Sequence, residues 1–221
     1  MKNIFFLLVF FTGLSYSTEA QKITFGVSAG ISGANAFIKE KDTNNKWEKV
    51  EGLKSINSFT GSISANIPFS KYFSFQPGIS YLQKGFKTET ADNKTTLTLN
   101  YIEVPLTIMF KTNNKSNDKK ADDFFFGIGP SVAFGVSGNV KFKTDSGVIK
   151  EEVKFGTGDN DIKGIDVGAN AVLGCMFFNN FFFAVNYNIG LNNLSNAKEE
   201  VRWRNNYLAI KVGYTLGGNK K

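Results

Sequence analysis

The chain has no histidine, one cysteine and four prolines. Without histidine, the sequence excludes His-based acid–base catalysis, Ser-His and Cys-His nucleophilic pairs, and histidine-ligated metal sites. The one cysteine, Cys175, cannot form an internal disulfide, so no covalent cross-link staples the fold. These absences predict a protein that is not an enzyme and that holds no metal or cofactor.

Long hydrophobic runs are also scarce. The apolar run Ile4–Leu14 follows Lys2, and a short polar segment then ends in Thr18-Glu19-Ala20. This pattern is typical of a secretory signal peptide, so we predict a leader over residues 1–20 with cleavage after Ala20. No later segment reaches the ~18 uninterrupted apolar residues of a membrane helix. We therefore treat residues 21–221 as one exported domain.

The formal net charge is +7, yet the lysines lie mostly in polar stretches that also contain Asp and Glu, as in "KEKDTNNKWEKVEGLK". Mixed charges of this kind indicate solvated loops and not a stripe that follows a phosphate backbone. We therefore predict that the protein does not bind nucleic acid.

What the mature chain does contain is alternation of apolar and polar residues with period two, the pattern of strands with one apolar face. In the segment at Leu97–Phe110 the alternation slips near Asn100, which predicts a β-bulge. Many of the segments have the ~9–11 residues that a tilted strand needs to cross a bilayer. Eight such segments occur, at residues 22–32, 59–67, 73–86, 97–110, 124–137, 164–176, 181–191 and 206–216.

The polar faces of these segments consist of Gly, Ser, Asn and Ala with few charges. Small residues suit the crowded interior of a narrow barrel, whereas a water-facing surface would be rich in Lys, Glu and Arg. We therefore predict an all-β fold: an eight-stranded, antiparallel, up-and-down transmembrane β-barrel in a bacterial outer membrane. A soluble lipocalin-like carrier, with its apolar face turned inward, is the alternative.

The connections between the segments differ in length in the way that outer-membrane barrels predict. With the N-terminus in the periplasm, the external loops are residues 33–58, 87–96, 138–163 and 192–205. The periplasmic turns are residues 68–72, 111–123 and 177–180. Phenylalanines cluster beside the periplasmic turns, which predicts an aromatic girdle at one membrane level. Its members are Phe69, Phe73, Phe75, Phe110, Phe124, Phe126, Phe177, Phe181 and Phe183.

Three charged residues fall on the inward faces: Glu103, Asp166 and Lys211. Because an unpaired charge is unfavourable in a barrel interior, we expect them to pair with each other or with loop residues. A structural ion-pair network in the lumen is the main interpretation, and a proton or solute path is the alternative. In the external loops, Trp47 and the stretch Glu199–Arg204 are the predicted binding residues, since Trp and Arg are common anchors.

The opening "FGVSAGIS" and the segments "FSFQPGISYLQKG", "LNYIEVPLTIMF" and "FFFGIGPSVAFG" resemble the PorT-like outer-membrane β-barrel family of Bacteroidetes. The most specific piece is "YIEVPL", Tyr101–Leu106. The resemblance implies an eight-stranded barrel of the OmpA or OmpX type. It also implies a second function, an accessory role in protein secretion across the outer membrane.

The leading functional prediction is a structural or interaction role, with any binding at the external loops. An outer-membrane lipid-modifying enzyme of similar barrel size is a further alternative, against which the lack of histidine argues. The expected partners are outer-membrane lipid, the machinery that assembles such barrels, and an unidentified protein at the external loops.

Overall fold

The computed structural model describes residues 23–90, 93–112, 123–144, 147–158, 161–177, 180–197 and 199–217. Among these residues no helix is long and apolar enough to cross a membrane. The predicted cleavage after Ala20 lies outside the described residues. The strands are β1 Thr24–Lys41, β2 Trp47–Lys49, β3 Ile56–Pro68, β4 Phe73–Glu89, β5 Lys94–Lys111, β6 Asp123–Thr144, β7 Gly147–Glu152, β8 Ile165–Phe177, β9 Phe181–Gly190 and β10 Val201–Leu216.

Eight long strands form a closed ring, and β2 and β7 are short additions to it. The order is β10-β9-β8-β6-β5-β4-β3-β1, and antiparallel pairing of β1 with β10 closes the ring. The closing ladder is continuous from the pair Phe25–Leu216 to the pair Glu40–Val201. β2 extends β1, and β7 pairs with β6. The predicted all-β antiparallel up-and-down barrel is confirmed.

The period-two pattern decides which side chains point outward. Large apolar residues stand exposed on the outer surface, such as Phe59 at 82%, Ile128 at 64% and Leu173 at 62% exposure. Small polar residues line the inside, where Ser32 and Ser58 share a 2.9 Å hydrogen bond across β1 and β3. A Cβ at Gly30, also inside, would collide with the carbonyl oxygen of Ile210. An outer surface this apolar needs a lipid environment.

The predicted strand boundaries were wrong at one end of the barrel. β1 continues to Lys41, β6 to Thr144, and β10 begins at Val201, all within segments that we had assigned to external loops. These ends are rich in Lys and Arg, which resembles loop composition. Their backbones nevertheless stay hydrogen-bonded to neighbouring strands above the apolar belt, so charged side chains do not end a ladder there.

The predicted irregularity near Asn100 exists, but the extra residue lies in the neighbouring strand. Asn100 pairs with Ser137 of β6, whereas Tyr101 pairs with Gly135, so Val136 is the bulged residue. Within β5, Leu97 and Leu99 point into the barrel like Tyr101. The apparent slip in the sequence arose because apolar side chains line the interior in this part of the strand.

The two ends of the barrel have different connections. We call the end with the chain termini and the β3–β4, β5–β6 and β8–β9 connections the turn end. The opposite end, where β1, β4, β5, β6 and β10 extend furthest, is the loop end. Short turns face the periplasm in outer-membrane barrels, so the loop end is assigned to the outside.

Candidate functional site

A cluster of three buried charges crosses the lumen in its middle. Lys84 of β4 points inward, and its Nζ lies 3.2 Å from Oε2 of Glu103 and 3.1 Å from Oδ2 of Asp166. The three side chains are at most 1% exposed. Because β4, β5 and β8 each contribute one charge, the cluster links three separate parts of the barrel wall.

Polar side chains donate hydrogen bonds to one oxygen of each carboxylate, while Oε2 of Glu103 and Oδ1 of Asp166 accept none among the described residues. The hydroxyl of Tyr207 donates a 2.6 Å hydrogen bond to Oε1 of Glu103. The amide of Asn205 donates to Oδ2 of Asp166 at 3.2 Å. Each carboxylate thus has a cation and a neutral donor, which offsets the desolvation that burial imposes. The arrangement holds charges in place, and no carboxylate is left to act as an accessible acid or base.

Two tyrosine rings enclose the ammonium group of Lys84. Its Nζ lies 5.3 Å from the ring centroid of Tyr101 and 5.5 Å from that of Tyr207. Both distances fall within the range of cation–π attraction, which is stronger where water is excluded. The rings also fill the space around the ion pairs, so the lysine is enclosed by aromatic and carboxylate groups together.

Lys211 lies lower in the lumen and belongs to a different environment. Its Nζ contacts Oγ of Ser62 at 3.4 Å, and within the described part of the chain no carboxylate lies within ion-pair distance of it. The structure therefore brings Glu103 and Asp166 together through Lys84, and it leaves Lys211 beside them. The formal charges of Lys84, Lys211, Glu103 and Asp166 sum to zero, and Lys111 also lines the turn-end cavity.

Lys84 is the residue that the sequence analysis missed. It falls at an even position of β4, like Ser74 and Ser80, and those serines also point inward. The same parity rule that selected Glu103 would have selected Lys84. Leu82 stands between Ser80 and Lys84 on the inward face, so polarity alone does not mark Lys84 as an inward residue.

The loop-end half of the lumen is packed with apolar side chains above the charge cluster. Leu99 and Leu194 are fully buried there, and Trp203 packs against the same group. The ring of Trp203 meets Phe86 edge-to-face at 5.8 Å, and its indole nitrogen donates to Asn205. These apolar side chains occupy the lumen between the charge cluster and the loop end.

The turn-end half of the lumen holds a cavity of about 100 Å³. Its wall is made mostly of short side chains, and Glu103 and Tyr207 form its closed end. A polar cavity of this volume is large enough to hold water. Polar members of the wall include Ser62, Asn66, Asn170, Asn186 and Lys211.

The phenylalanines predicted as a girdle gather at the turn end. Phe73 contacts Phe69 at 6.3 Å and Phe110 at 5.3 Å, and Phe110 contacts Phe126 at 5.1 Å between ring centroids. Phe177 pairs with Phe181 across β8 and β9. Phe124 and Phe183 flank Cys175 from the two neighbouring strands, and Phe75 pairs with Ile108. That these rings mark the level of the membrane interface stays a prediction.

The two external segments predicted to bind a partner meet each other. The guanidinium carbon of Arg202 lies 4.1 Å from the ring centroid of Trp47, and Lys41 Nζ lies 5.4 Å from the same ring. Trp203 points into the lumen instead of outward. Only part of Glu199–Arg204 is thus available to an external partner.

A second charge cluster is exposed at the loop end. Glu89 contacts Lys54 and Lys94, both at 2.8 Å, and Lys87 at 3.5 Å. The hydrogen bond from Lys54, followed by that from Lys94, lowers the pKa of Glu89 from 4.5 to about 2. This cluster joins the β4–β5 hairpin to the residues before β3 in full contact with water.

Comparison with solved structures finds other small barrels at low sequence identity. Ail of Yersinia pestis is 14% identical, with 89% of this chain and 100% of that chain covered and a TM-score of 0.41. Neisserial surface protein A is 14% identical, with coverage of 88% and 99% and a TM-score of 0.44. OprG of Pseudomonas aeruginosa is 13% identical, with coverage of 88% and 96% and a TM-score of 0.43. At these values the likenesses carry no functional information.

Sequence comparison is more direct. No curated protein sequence matches the chain. The family model described as "outer membrane protein beta-barrel domain" matches residues 17–196, which include seven of the eight long strands. The outward apolar belt and the closed antiparallel ring agree with that match. The chain belongs to the outer membrane protein beta-barrel domain family, and its place is the bacterial outer membrane.

Proposed function

We propose that this barrel is a closed, non-enzymatic interaction protein that binds an extended segment of an external protein partner at the edge of β7. The observation that carries the proposal is the state of β7. Within the described residues β7 pairs with β6 alone, so its other edge presents unpaired backbone groups. A strand edge of this kind can accept a further strand.

The composition and exposure of β7 support this role. All six of its residues are exposed, and Val148 and Ile149 are 63% and 59% exposed. Their side chains lie on opposite faces of the β6–β7 hairpin, since neighbouring residues of a strand alternate. An added strand would thus gain backbone hydrogen bonds from the edge and an apolar contact on each face.

The packed lumen supports an interaction role over transport. Lys84, Glu103 and Asp166 are buried, and the apolar group around Leu99 lies between them and the loop end. A solute path would require both layers to open. The same burial argues against an enzyme of the lumen, because Lys84 pairs with both carboxylates and each is at most 1% exposed.

Site-specific photo-cross-linking in intact cells tests the proposal. A photoreactive amino acid at Ile149 should give a defined adduct with an external protein, and the same group at lipid-facing Leu173 should not. In the protein with the photoreactive group at Ile149, the additional substitution Val148→Lys should reduce the adduct several-fold, because a charge at an edge strand opposes strand addition. Equal adducts at both positions, or no loss with Val148→Lys, would contradict strand addition.

The absence of enzyme activity has its own test. The purified, folded protein should not cleave a fluorogenic peptide library or phospholipid vesicles above the background of an Asp166→Asn variant. Turnover that disappears in the variant would overturn this part of the proposal.

We also propose that the chain belongs to the PorT-like branch of its family, which the Tyr101–Leu106 motif supports. In that motif Tyr101 and Glu103 contribute to the lumen cluster, while Ile102 and Val104 lie on the outer face. A deletion strain tests the accessory secretion role that this membership implies. Normal export of extracellular proteins in that strain would reject the role and leave strand addition at β7 untouched.

A further inference from the structure

Five cations share one outward-facing surface at the loop end, on β1, β2 and β10. In the ladders, Lys39 stands opposite both Arg202 and Lys49, and side chains at directly opposite positions lie on the same face. On the same face, Lys41 follows Lys39 by two residues on β1, and Arg204 follows Arg202 by two residues on β10. We call these five residues, Lys39, Lys41, Lys49, Arg202 and Arg204, the basic face.

At the paired positions of these ladders this face carries no carboxylate, and Glu200 follows directly after them, with its carbonyl oxygen bonded to the amide of Lys41. Glu40 and Glu48 alternate with the cations in sequence and stand opposite each other on the other face. Among the residues that the structure describes, none of the five cations forms an ion pair with a carboxylate. The basic face therefore concentrates positive charge that the protein itself does not neutralise.

Aromatic rings hold several of these cations in place. Trp47 lies between Lys41 and Arg202, and its ring centroid is 4.1 Å from the guanidinium carbon of Arg202. Phe37 lies below Lys39 and Lys49, at 5.4 and 6.0 Å from their Nζ atoms. Stacking limits the freedom of long side chains while the N–H groups at the edge of the guanidinium stay available to an anion.

The basic face lies just above the apolar belt. The lipid-facing residues of β1 begin with Phe25 and continue through Ile31. At ~3.3 Å per residue and a tilt of ~40°, an apolar band ~25 Å tall that starts at Phe25 ends near Asn35. Phe37 and Lys39 then stand within the next ~5–10 Å, which is the depth of the lipid headgroups.

We propose that the basic face binds the phosphate groups of lipid in the outer leaflet. The side chains point sideways, continuous with the surface that contacts lipid, and not upward toward a soluble partner. Arg202 and Arg204 suit a phosphate because a guanidinium donates two parallel hydrogen bonds to its oxygens. The three lysines add charge around it. This assignment is independent of strand addition at β7.

A second cation pair at a similar height provides a matched control. Lys141 and Lys150 stand directly opposite each other in the β6–β7 hairpin and also face outward. Glu152 lies on their face, two residues from Lys150. Replacing Lys39 and Arg202, or Lys141 and Lys150, removes the same number of cations from the same kind of ladder position.

Titration of bisphosphorylated lipid A into phosphatidylcholine nanodiscs that hold the full-length, folded barrel tests the proposal. Fluorescence of Trp47 reports on the basic face, and Trp203 faces the lumen. The K39Q/R202Q variant should need at least tenfold more lipid A for half of the response. The K141Q/K150Q variant should change that midpoint less than twofold. Heat-modifiable migration on a gel verifies that each variant is folded.

Dephosphorylated lipid A and inorganic phosphate separate the sources of the anion. Dephosphorylated lipid A should give no saturable response. Inorganic phosphate should not compete with lipid A when the total ionic strength is held constant. Equal midpoints for the two double variants would overturn the proposal in favour of attraction by net charge. A response to dephosphorylated lipid A, or full competition by inorganic phosphate, would overturn it as well.

Discussion

The two halves of the lumen are built from the same eight strands but are filled in different ways. The loop-end half, above the charge cluster of Lys84, Glu103 and Asp166, is filled by Leu99 and other apolar side chains. In the turn-end half, small residues such as serine, glycine and asparagine leave a cavity of about 100 Å³. The difference shows that the number of strands alone does not determine whether the lumen of a barrel is filled. Side-chain volume inside each half decides whether water can enter it.

The largest effect should come from removing Lys84, the cation of the charge cluster that separates the two halves. Lys84→Met leaves Glu103 and Asp166 buried without a counter-ion, which should lower the free energy of unfolding by about 3–5 kcal/mol. Urea unfolding of the folded barrel, followed by tryptophan fluorescence, measures it.

Lys211→Met is the control in the turn-end half. No carboxylate within ion-pair distance loses a partner there, so the loss should stay below about 1.5 kcal/mol. The triple variant K84M/E103Q/D166N should recover more than half of the loss seen in Lys84→Met, because the orphaned charges are gone. Similar losses for Lys84→Met and Lys211→Met would show that both halves depend equally on charge.

The next effect concerns apolar packing. Leu99→Ala creates a void in the group that caps the charge cluster and should lower the free energy of unfolding by about 2–4 kcal/mol. Val172→Ala, in the wall of the cavity, should cost about 1 kcal/mol or less, since that wall already borders open space. Differential scanning calorimetry compares the two melting transitions. An equal shift for both would mean that the cavity is not open in solution.

Water access should differ between the halves in a way that thiol labelling detects. In a Cys175→Ser background, Asn186→Cys faces the cavity, whereas Ala133→Cys is 0% exposed within the loop-end packing. A charged methanethiosulfonate reagent should modify the first thiol at least ~10-fold faster, because reaction requires access and a thiolate. Comparable rates would indicate that the loop-end plug opens readily.

The sequence predicted the inward and outward faces well because alternation with period two needs only one strand at a time. It placed Glu103 and Asp166 inside, and both are buried. It could not show that Lys84 lies between them, because that depends on the registers of β4, β5 and β8 around the ring. The way the strands close into a ring determines which side chains meet across the lumen, and the sequence of a single strand does not contain that information.

The sequence was least informative at the loop end, where two patterns change. Leu97 and Leu99 are apolar yet point inward, so alternation of polarity no longer separates lipid from lumen. Above the belt both faces of a strand meet water, and the composition then resembles a loop. The residue types predict that Trp47 and Arg202 bind a partner, but their contact with each other depends on the pairing of β1 with β2 and β10.

The smallest effect separates an exposed ion cluster from the buried one. The pKa of Glu89 is lowered from 4.5 to about 2, first by Lys54 and then by Lys94. A lowered pKa means that the contribution to stability is present above pH 4.5 and is lost as the pH falls through about 2. Water screens this cluster, so Lys54→Met should hardly change global unfolding, in contrast to Lys84→Met.

The carboxyl carbon shift of Glu89, followed by NMR as the pH is lowered, gives the direct measurement. In Lys54→Met the midpoint should rise toward the ordinary value for glutamate, because the largest cause of the shift is gone. The protection factors for hydrogen exchange in the β4–β5 hairpin, which are corrected for the intrinsic effect of pH, should fall only below pH 4.5, and Glu89→Gln should remove that dependence. If Glu89 of the unaltered protein titrated at 4.5, the three lysines would not stabilise its ionised form in solution. The exposed cluster would then contribute nothing to the free energy of unfolding, unlike the buried cluster of Lys84.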